Sequence, residues 1–108
     1  MEDVVSKEAT RMSTRLDAGD AARRMSTLHA DWTIDAEATS ITRRFTFEAF
    51  AAAVQLANVA AWLGEKHNHH PDVTFGWGYC TVRYTSHDVG GLSGRDFRSA
   101  AALDALVA

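Results

Sequence analysis

The stretch EKHNHHP at residues 65–71 decides how the rest of the chain is organised. It ends in the only proline and holds three of the five histidines. Proline cannot continue a helix, and it drives the residue before it into an extended conformation. The sequence therefore predicts that a helix ends before Pro71, that a strand begins after it, and that the histidines lie at the junction.

The segments on either side of this stretch have the periodicity that such a junction needs. Residues 48–66 contain no proline and carry apolar side chains at helical spacing, so they predict the longest helix. Residues 73–77 and 80–84 alternate apolar and polar side chains, the pattern of two strands that each bury one face. Gly78 and Tyr79 are expected to form the turn between them.

A helix and a hairpin are predicted before the long helix. Asp17 is a suitable N-cap for a first helix that should run to about His29. Residues 32–36 and 41–47 alternate with a period of two and predict paired strands. Arg43 interrupts the apolar alternation of the second strand, so we expect its side chain to point off the sheet edge.

The last helix has its own start signal. Ser93 followed by Asp96 is a capping box, and apolar residues at helical spacing continue to Val107. The order of elements is α-β-β-α-β-β-α, which predicts an α+β fold with a four-stranded antiparallel sheet and three helices packed on one face. We assign residues 16–108 to one domain and residues 1–15 to a flexible N-terminal tail.

Composition narrows the class of protein. The formal net charge of −3 argues against direct nucleic-acid binding through phosphate contacts. Cys80 is the only cysteine, which excludes an internal disulfide and fits a reducing compartment. No leader and no apolar run of about 18 residues is evident, so no membrane span is predicted. We expect a cytoplasmic protein.

Antiparallel pairing should bring another histidine to the junction. His87 follows the fourth predicted strand, whose end lies beside the start of the third. His69 and His70 are neighbours in an extended segment, so their rings should point in different directions. Three imidazoles then converge, and imidazole suits acid–base chemistry because it titrates near neutral pH.

Two other interpretations of the histidines remain open at this point. Histidines that follow a helix often cap its carbonyls or lie on the surface. Metal binding is disfavoured because adjacent histidines do not easily share one tetrahedral ion and the helical His-x-x-x-His spacing is missing. The donors that such a site would draw on are His67, His69, His70 and His87, with Glu65 or Asp88 as a carboxylate ligand.

Several spacings around the histidines are shared with a known family. The shared positions are Glu65, His69, His70, Pro71, Trp77, His87 and Asp96, together with the segment SHDVGGLS at residues 86–93. At these residues the chain resembles the pterin-4a-carbinolamine dehydratases, a family that includes the dimerisation cofactor of a homeodomain transcription factor. The resemblance covers roughly residues 16–108.

The resemblance implies the α+β fold predicted above and a hydro-lyase reaction. A 4a-hydroxytetrahydropterin would lose water and give the quinonoid dihydropterin, in tetrahydropterin recycling, without a metal or an organic cofactor. The catalytic residues would be His69, His70 and His87, with His69 and His87 as the acid–base pair and His70 orienting the pterin. Further substrate contacts would come from Pro71, Ser86, Asp88 and Val89.

Supporting roles are implied for three more residues, each with a structural alternative. Glu65 would fix a histidine tautomer or remain a solvated carboxylate at the helix end. Trp77 would form a pocket wall or pack on a strand. Asp96 is explained structurally by its capping box.

The expected partners are a pterin substrate and other copies of the chain, in a homodimer or homotetramer, with no direct nucleic acid and no membrane. The alternative function is a non-catalytic binding module of the transcriptional coactivator type on the same fold.

Overall fold

The computed structural model describes residues 12–108, so most of the predicted tail lies outside the described residues. The predicted order of elements is confirmed. The elements are α1 (Ala18–Met25), β1 (Thr33–Ile34), β2 (Ile41–Thr46), α2 (Phe50–His67), β3 (Asp72–Gly76), β4 (Tyr79–Tyr84), a short 3₁₀ helix (His87–Val89) and α3 (Gly94–Val107). No helix in this part of the chain is both long and apolar enough to cross a bilayer.

The four strands form one antiparallel sheet in the order β1-β2-β4-β3, and the helices pack on one face of it. The predicted α+β fold is therefore confirmed. Arg83 near the end of β4 lies opposite Asp72 at the start of β3, so the end of β4 adjoins the α2–β3 junction. β3 has one strand neighbour among the described residues and is an edge strand.

The core lies between the sheet and the two longer helices. The alternation of side chains turns one face of each strand toward α2 and α3. Burial of that apolar face holds both helices against the sheet. The buried side chains of the sheet include Ile41, Phe45, Cys80, Val82 and Tyr84, and those of the helices include Ala53, Leu56, Ala60, Leu63, Phe97 and Leu103.

The long helix α2 ends through a Schellman motif before its proline is reached. Asn68 adopts the left-handed conformation with φ of 50°. The amide of His69 then donates to the Gly64 carbonyl at 3.1 Å, the bond that closes this motif. Pro71 folds back on the helix, and a Cβ at Gly64 would lie 3.0 Å from Pro71 Cδ. Glycine at this position therefore allows the start of β3 to approach α2 closely.

The first hairpin is shorter than the alternation predicts. α1 ends at Met25 rather than near His29, and hydrogen-bonded turns follow it. β1 is reduced to Thr33–Ile34, and the next residue, Asp35, begins the turn. Its amide still donates to the Ser40 carbonyl at 3.2 Å, and its carboxylate accepts from the Thr39 amide at 2.6 Å and so stabilises the turn.

The expectation that Arg43 points off the sheet edge is wrong. Arg43 lies on β2, between β1 and β4, and its side chain turns inward like that of Phe45. Its Nη1 donates to Asp104 Oδ1 of α3 at 2.7 Å, and Trp32 Nε1 donates to the same oxygen at 2.8 Å. A charged side chain can occupy an inward position when another element supplies its counter-ion. The break in the apolar pattern therefore marks a largely buried ion pair.

Replacing Asp104 with alanine should lower stability by about 3 kcal/mol, because it leaves the buried Arg43 charge without a partner. The Arg43 and Asp104 side chains are only 11% and 17% exposed. The matched control is Asp72→Ala, which breaks the exposed pair with Arg83 and should cost less than about 1 kcal/mol. Urea unfolding followed by circular dichroism measures the stability of both variants. Equal losses of stability would contradict the conclusion that the buried Arg43–Asp104 pair contributes more than the exposed Arg83–Asp72 pair.

Candidate active site

A cavity of about 220 Å³ lies where the end of β4 meets the α2–β3 junction. It brings His69, His70 and His87 to one place, which confirms the convergence predicted from antiparallel pairing. The residues that line it are Asn68, His69, His70, Thr85, Ser86, His87 and Asp88.

His69 is the buried member of the three histidines. The residue is 8% exposed, and its Nε2 lies 2.6 Å from Oδ1 of Asp96 at the start of α3. A carboxylate accepts hydrogen bonds, so Nε2 is the donor in this contact and Nδ1 is the second nitrogen of the ring. The ring also stacks on that of Tyr84, with ring centres 6.0 Å apart and ring planes 14° apart.

Asp96 joins the elements around His69 through one fully buried carboxylate. Its Oδ2 accepts from the Ser93 amide at 2.9 Å, which confirms the predicted capping box. The same oxygen accepts from Ser86 Oγ at 2.8 Å, while Oδ1 contacts His69. The spacing of Ser93 and Asp96 predicts only the cap. The contact with His69 depends on how α3 packs against the α2–β3 junction, for which the sequence carries no local signal.

The neighbouring ring of His70 points away from the core, as predicted for adjacent residues in an extended segment. Its Nε2 lies 2.7 Å from Glu65 Oε1 at the end of α2. The two side chains are 58% and 79% exposed, so solvent screens this pair. Glu65 is therefore a solvated carboxylate that contacts a histidine, and its role in fixing a tautomer stays a prediction.

The other wall of the cavity is a tight loop between β4 and α3. The Ser86 amide donates to the Gly91 carbonyl at 2.8 Å, and this pairing closes the loop. The loop presents His87 and Asp88 to the cavity. Arg95 Nη2 donates to the Asp88 carboxylate at 2.7 Å, and this hydrogen bond holds the pKa of Asp88 below its usual value. The rim of the cavity therefore carries an ionised carboxylate.

Three of the residues predicted to contact substrate or form a pocket wall do not line this cavity. Pro71 packs on α2, and Val89 ends the 3₁₀ helix, so substrate contact by these two stays a prediction. Trp77 is 70% exposed in the β3–β4 turn, at the opposite end of the hairpin from His87. It is neither a wall of this cavity nor packed within the sheet. The turn is Trp77–Gly78, one residue earlier than predicted, because Gly78 supplies a φ of 81°.

The alternatives to imidazole chemistry find little support in the geometry. Within residues 12–108, no three or more histidine, cysteine, aspartate or glutamate side chains cluster so as to hold a metal ion. Cys80 lies in the core as predicted, and burial raises the pKa of its thiol. A buried, protonated thiol is a poor nucleophile.

A comparison with protein families finds a match that covers most of the chain. The family described as pterin 4 alpha carbinolamine dehydratase matches residues 14–106. The chain belongs to this family. The match spans the segments that form both walls of the cavity and nearly all of helix α3, which carries Asp96.

Individual bacterial relatives support this membership. A protein of Paracoccus denitrificans is 47% identical over 74 residues, which are 68% of this chain and 69% of that protein. One of Methylococcus capsulatus is 42% identical over 77 residues, which are 71% of this chain and 68% of that protein. Both carry the provisional name pterin-4-alpha-carbinolamine dehydratase.

Two solved structures share the dehydratase fold. A Brucella melitensis protein, described as a transcriptional coactivator/pterin dehydratase, superposes with a TM-score of 0.80 at 25% identity. The match covers 88% of this chain and all of that one. A pterin dehydratase-like protein, described as a RuBisCO assembly factor in the alpha-carboxysome, gives a TM-score of 0.59 at 25% identity over 72% of this chain and 90% of that one.

His67, the last residue of α2, does not line the cavity although it belongs to the same stretch of sequence. Its Nδ1 is buried without a hydrogen-bond partner among the described residues. Burial, reinforced by the positive charge of Arg98, lowers the pKa of His67 below its usual value. Protonation of this ring therefore opposes folding.

The variant His67→Gln should lose less stability than the wild type when the pH falls from about 7.5 to about 5.5. Since the unfolded chain protonates His67 at a higher pH than the folded chain, the wild type loses stability as the pH drops below the usual histidine pKa of about 6.5. Urea midpoints at the two pH values measure the difference. Identical pH dependence in the two proteins would contradict the prediction.

Proposed function

We propose that this protein catalyses the dehydration of 4a-hydroxytetrahydropterin to quinonoid dihydropterin by histidine acid–base catalysis. The observation that carries the proposal is the buried His69–Asp96 pair at a cavity that also presents His70 and His87, in a member of the pterin dehydratase family. The protein would thus be a hydro-lyase that acts in the recycling of tetrahydropterin.

The reaction needs one proton donor and one proton acceptor. The C4a–O bond breaks, and the hydroxyl leaves as water after it receives a proton. A nitrogen of the ring gives up its proton, and the electrons of that N–H bond form the new C=N double bond. Imidazole can fill either role near neutral pH, so the chemistry requires no metal and no organic cofactor.

His69 is suited to hold a proton taken from the substrate. The Asp96 carboxylate contacts Nε2, so Nδ1 would be the nitrogen that exchanges a proton with a ligand in the cavity. His87 on the opposite wall would be its acid–base partner. His70, held by Glu65 at 2.7 Å, would orient the pterin ring.

The remaining contacts would come from the loop after β4 and from the start of β3. Ser86 and Asp88 line the cavity and offer backbone and side-chain groups to a pterin ring. Pro71 and Val89 would contribute at its margins. A buried, unpaired Cys80 fits a cytoplasmic location, where thiols stay reduced.

Variants of the two proposed acid–base residues test the proposal. Purified protein should accelerate the dehydration of synthetic 4a-hydroxytetrahydropterin, followed by ultraviolet absorbance. His69→Ala and His87→Ala should each lower the rate by roughly 10²–10⁴-fold, the usual contribution of general acid–base catalysis. His29→Ala is the matched control, because this histidine lies at the far side of α3, against Asp104, and should keep full activity.

If the wild-type protein dehydrates the substrate no faster than buffer does, the proposed enzymatic function is overturned. The second candidate function, a binding module, is then favoured. The descriptions of two solved relatives support this second candidate. The Brucella melitensis protein is described as a coactivator as well as a pterin dehydratase, and the other solved relative as an assembly factor. A cavity that presents three histidines favours the enzyme, because a scaffold has no need of such a set.

An exposed aromatic surface supports self-association. Phe50 and Phe75 are 50% and 44% exposed, and their ring centres are 6.2 Å apart. This pair lies beside the edge strand β3, and Trp77 is exposed in the turn that follows it. Exposed apolar side chains next to an unpaired strand edge are typical of interfaces. A homodimer or homotetramer is the assembly that this surface supports.

Light scattering should find a dimer or tetramer at micromolar concentration. Phe75→Lys should shift it toward monomer, because it places a charge on the aromatic surface. Thr33→Lys is the matched control, since Thr33 is exposed on β1 at the opposite edge of the sheet. A monomeric wild type would contradict the assembly, and dissociation by Thr33→Lys alone would move the interface to the other edge.

A further inference from the structure

Tyr84 is a fully buried residue that touches the proposed active site without lining its cavity. It is the last residue of β4. One side of its ring stacks on His69, with centres 6.0 Å and planes 14° apart. The ring of Trp32 packs against it at 6.0 Å and 35°. We call these three contacting rings the aromatic column; Trp32 lies just before β1 and His69 lines the cavity.

The hydroxyl group of Tyr84 does not explain why a tyrosine occupies this buried position. Its oxygen is buried and has no hydrogen-bond partner among residues 12–108. Burial, with the nearby charges of Asp96 and Asp104, raises the pKa of Tyr84 to about 12, so the hydroxyl stays protonated and carries no charge. A buried hydroxyl without a partner weakens folding. What the side chain offers is the flat face of its ring.

The contact with Asp96 alone does not fix the plane of the His69 ring. One hydrogen bond at Nε2 holds that atom, but the plane of the ring can still turn about the line that joins Cβ to Nε2. The backbone is already held, because the His69 amide donates to the Gly64 carbonyl at 3.1 Å. A ring stacked on the imidazole face removes the remaining freedom and so aims Nδ1 in one direction.

A hydrogen bond also holds the Trp32 end of the aromatic column. Trp32 Nε1 donates to Asp104 Oδ1 at 2.8 Å, so the far ring cannot slide. Asp96 and Asp104 both belong to α3, which therefore anchors the two ends of the column: His69 through one carboxylate and Trp32 through the other. Tyr84 is the ring that contacts both of them.

We propose that Tyr84 is a positioning residue whose aromatic face, and not its hydroxyl, holds the His69 imidazole in the orientation that proton transfer needs. The catalytic consequence rests on the dehydratase function proposed above. The structural part, a single orientation of the His69 ring, does not, and it is measurable without substrate.

The test compares Tyr84→Phe, which keeps the aromatic face, with Tyr84→Leu, which removes it at similar volume. Tyr84→Phe should keep kcat within about twofold and should be at least as stable as the wild type in urea, because it deletes an unpaired buried hydroxyl. Tyr84→Leu should lower kcat roughly 10–100-fold with little change in KM, since a misaimed group slows the chemistry more than it weakens binding.

A second readout follows the His69 ring in the substrate-free protein. Ring ¹⁵N chemical shifts should show one tautomer, with the proton on Nε2, in the wild type and in Tyr84→Phe. Tyr84→Leu should show a mixture or exchange broadening, although its circular dichroism spectrum stays native. If Tyr84→Leu does not fold, Tyr84→Met replaces it with a flexible apolar side chain that fills the same space.

The outcomes separate this inference from the proposed function. An inactive wild type whose His69 tautomer still depends on the aromatic face would overturn the dehydratase alone. Wild-type kcat and a single tautomer in Tyr84→Leu would overturn the positioning role. Loss of activity in Tyr84→Phe equal to that in Tyr84→Leu would also overturn it, because the hydroxyl would then be the group that matters.

Discussion

The buried carboxylate of Asp96 is the constraint on which the site depends. Its contacts come from three separate places: the amide that begins α3, the Ser86 hydroxyl after β4, and the His69 ring after α2. A buried carboxylate is costly unless hydrogen-bond donors surround it. The elements can therefore pack well only in the arrangement that brings these donors together. The same requirement that stabilises the fold also places His69 at the cavity.

The three histidines differ in how firmly they are held, and the difference suits their proposed roles. His69 is fixed through its backbone amide, through Nε2 and through the face of its ring. His70 is exposed beside Glu65, and His87 lies on a loop on the opposite wall. A rigid group that faces more accessible ones can exchange a proton with a bound ring while substrate and product still enter and leave.

Helix α3 organises the polar interior as well as part of the core. Asp96 reaches the cavity, and Asp104 reaches Arg43 and Trp32 beneath the first hairpin. Between these two carboxylates the rings of Trp32, Tyr84 and His69 lie in contact. The far hairpin is thus mechanically connected to the proposed active site. The solved relative at 25% identity and a TM-score of 0.80 shows that the fold itself tolerates extensive sequence change.

The sequence by itself determined the order of the elements, the capping box at Ser93, and the place of the histidines at a helix–strand junction, because helical and period-two patterns and the proline act locally. Antiparallel pairing then predicted that His87 returns to His69. Only the tertiary structure decided that Arg43 turns inward, that Asp96 contacts His69 besides capping its helix, and that Tyr84 stacks on that ring. These contacts join residues far apart in the chain, so packing between elements selects each partner, and no local pattern records that choice.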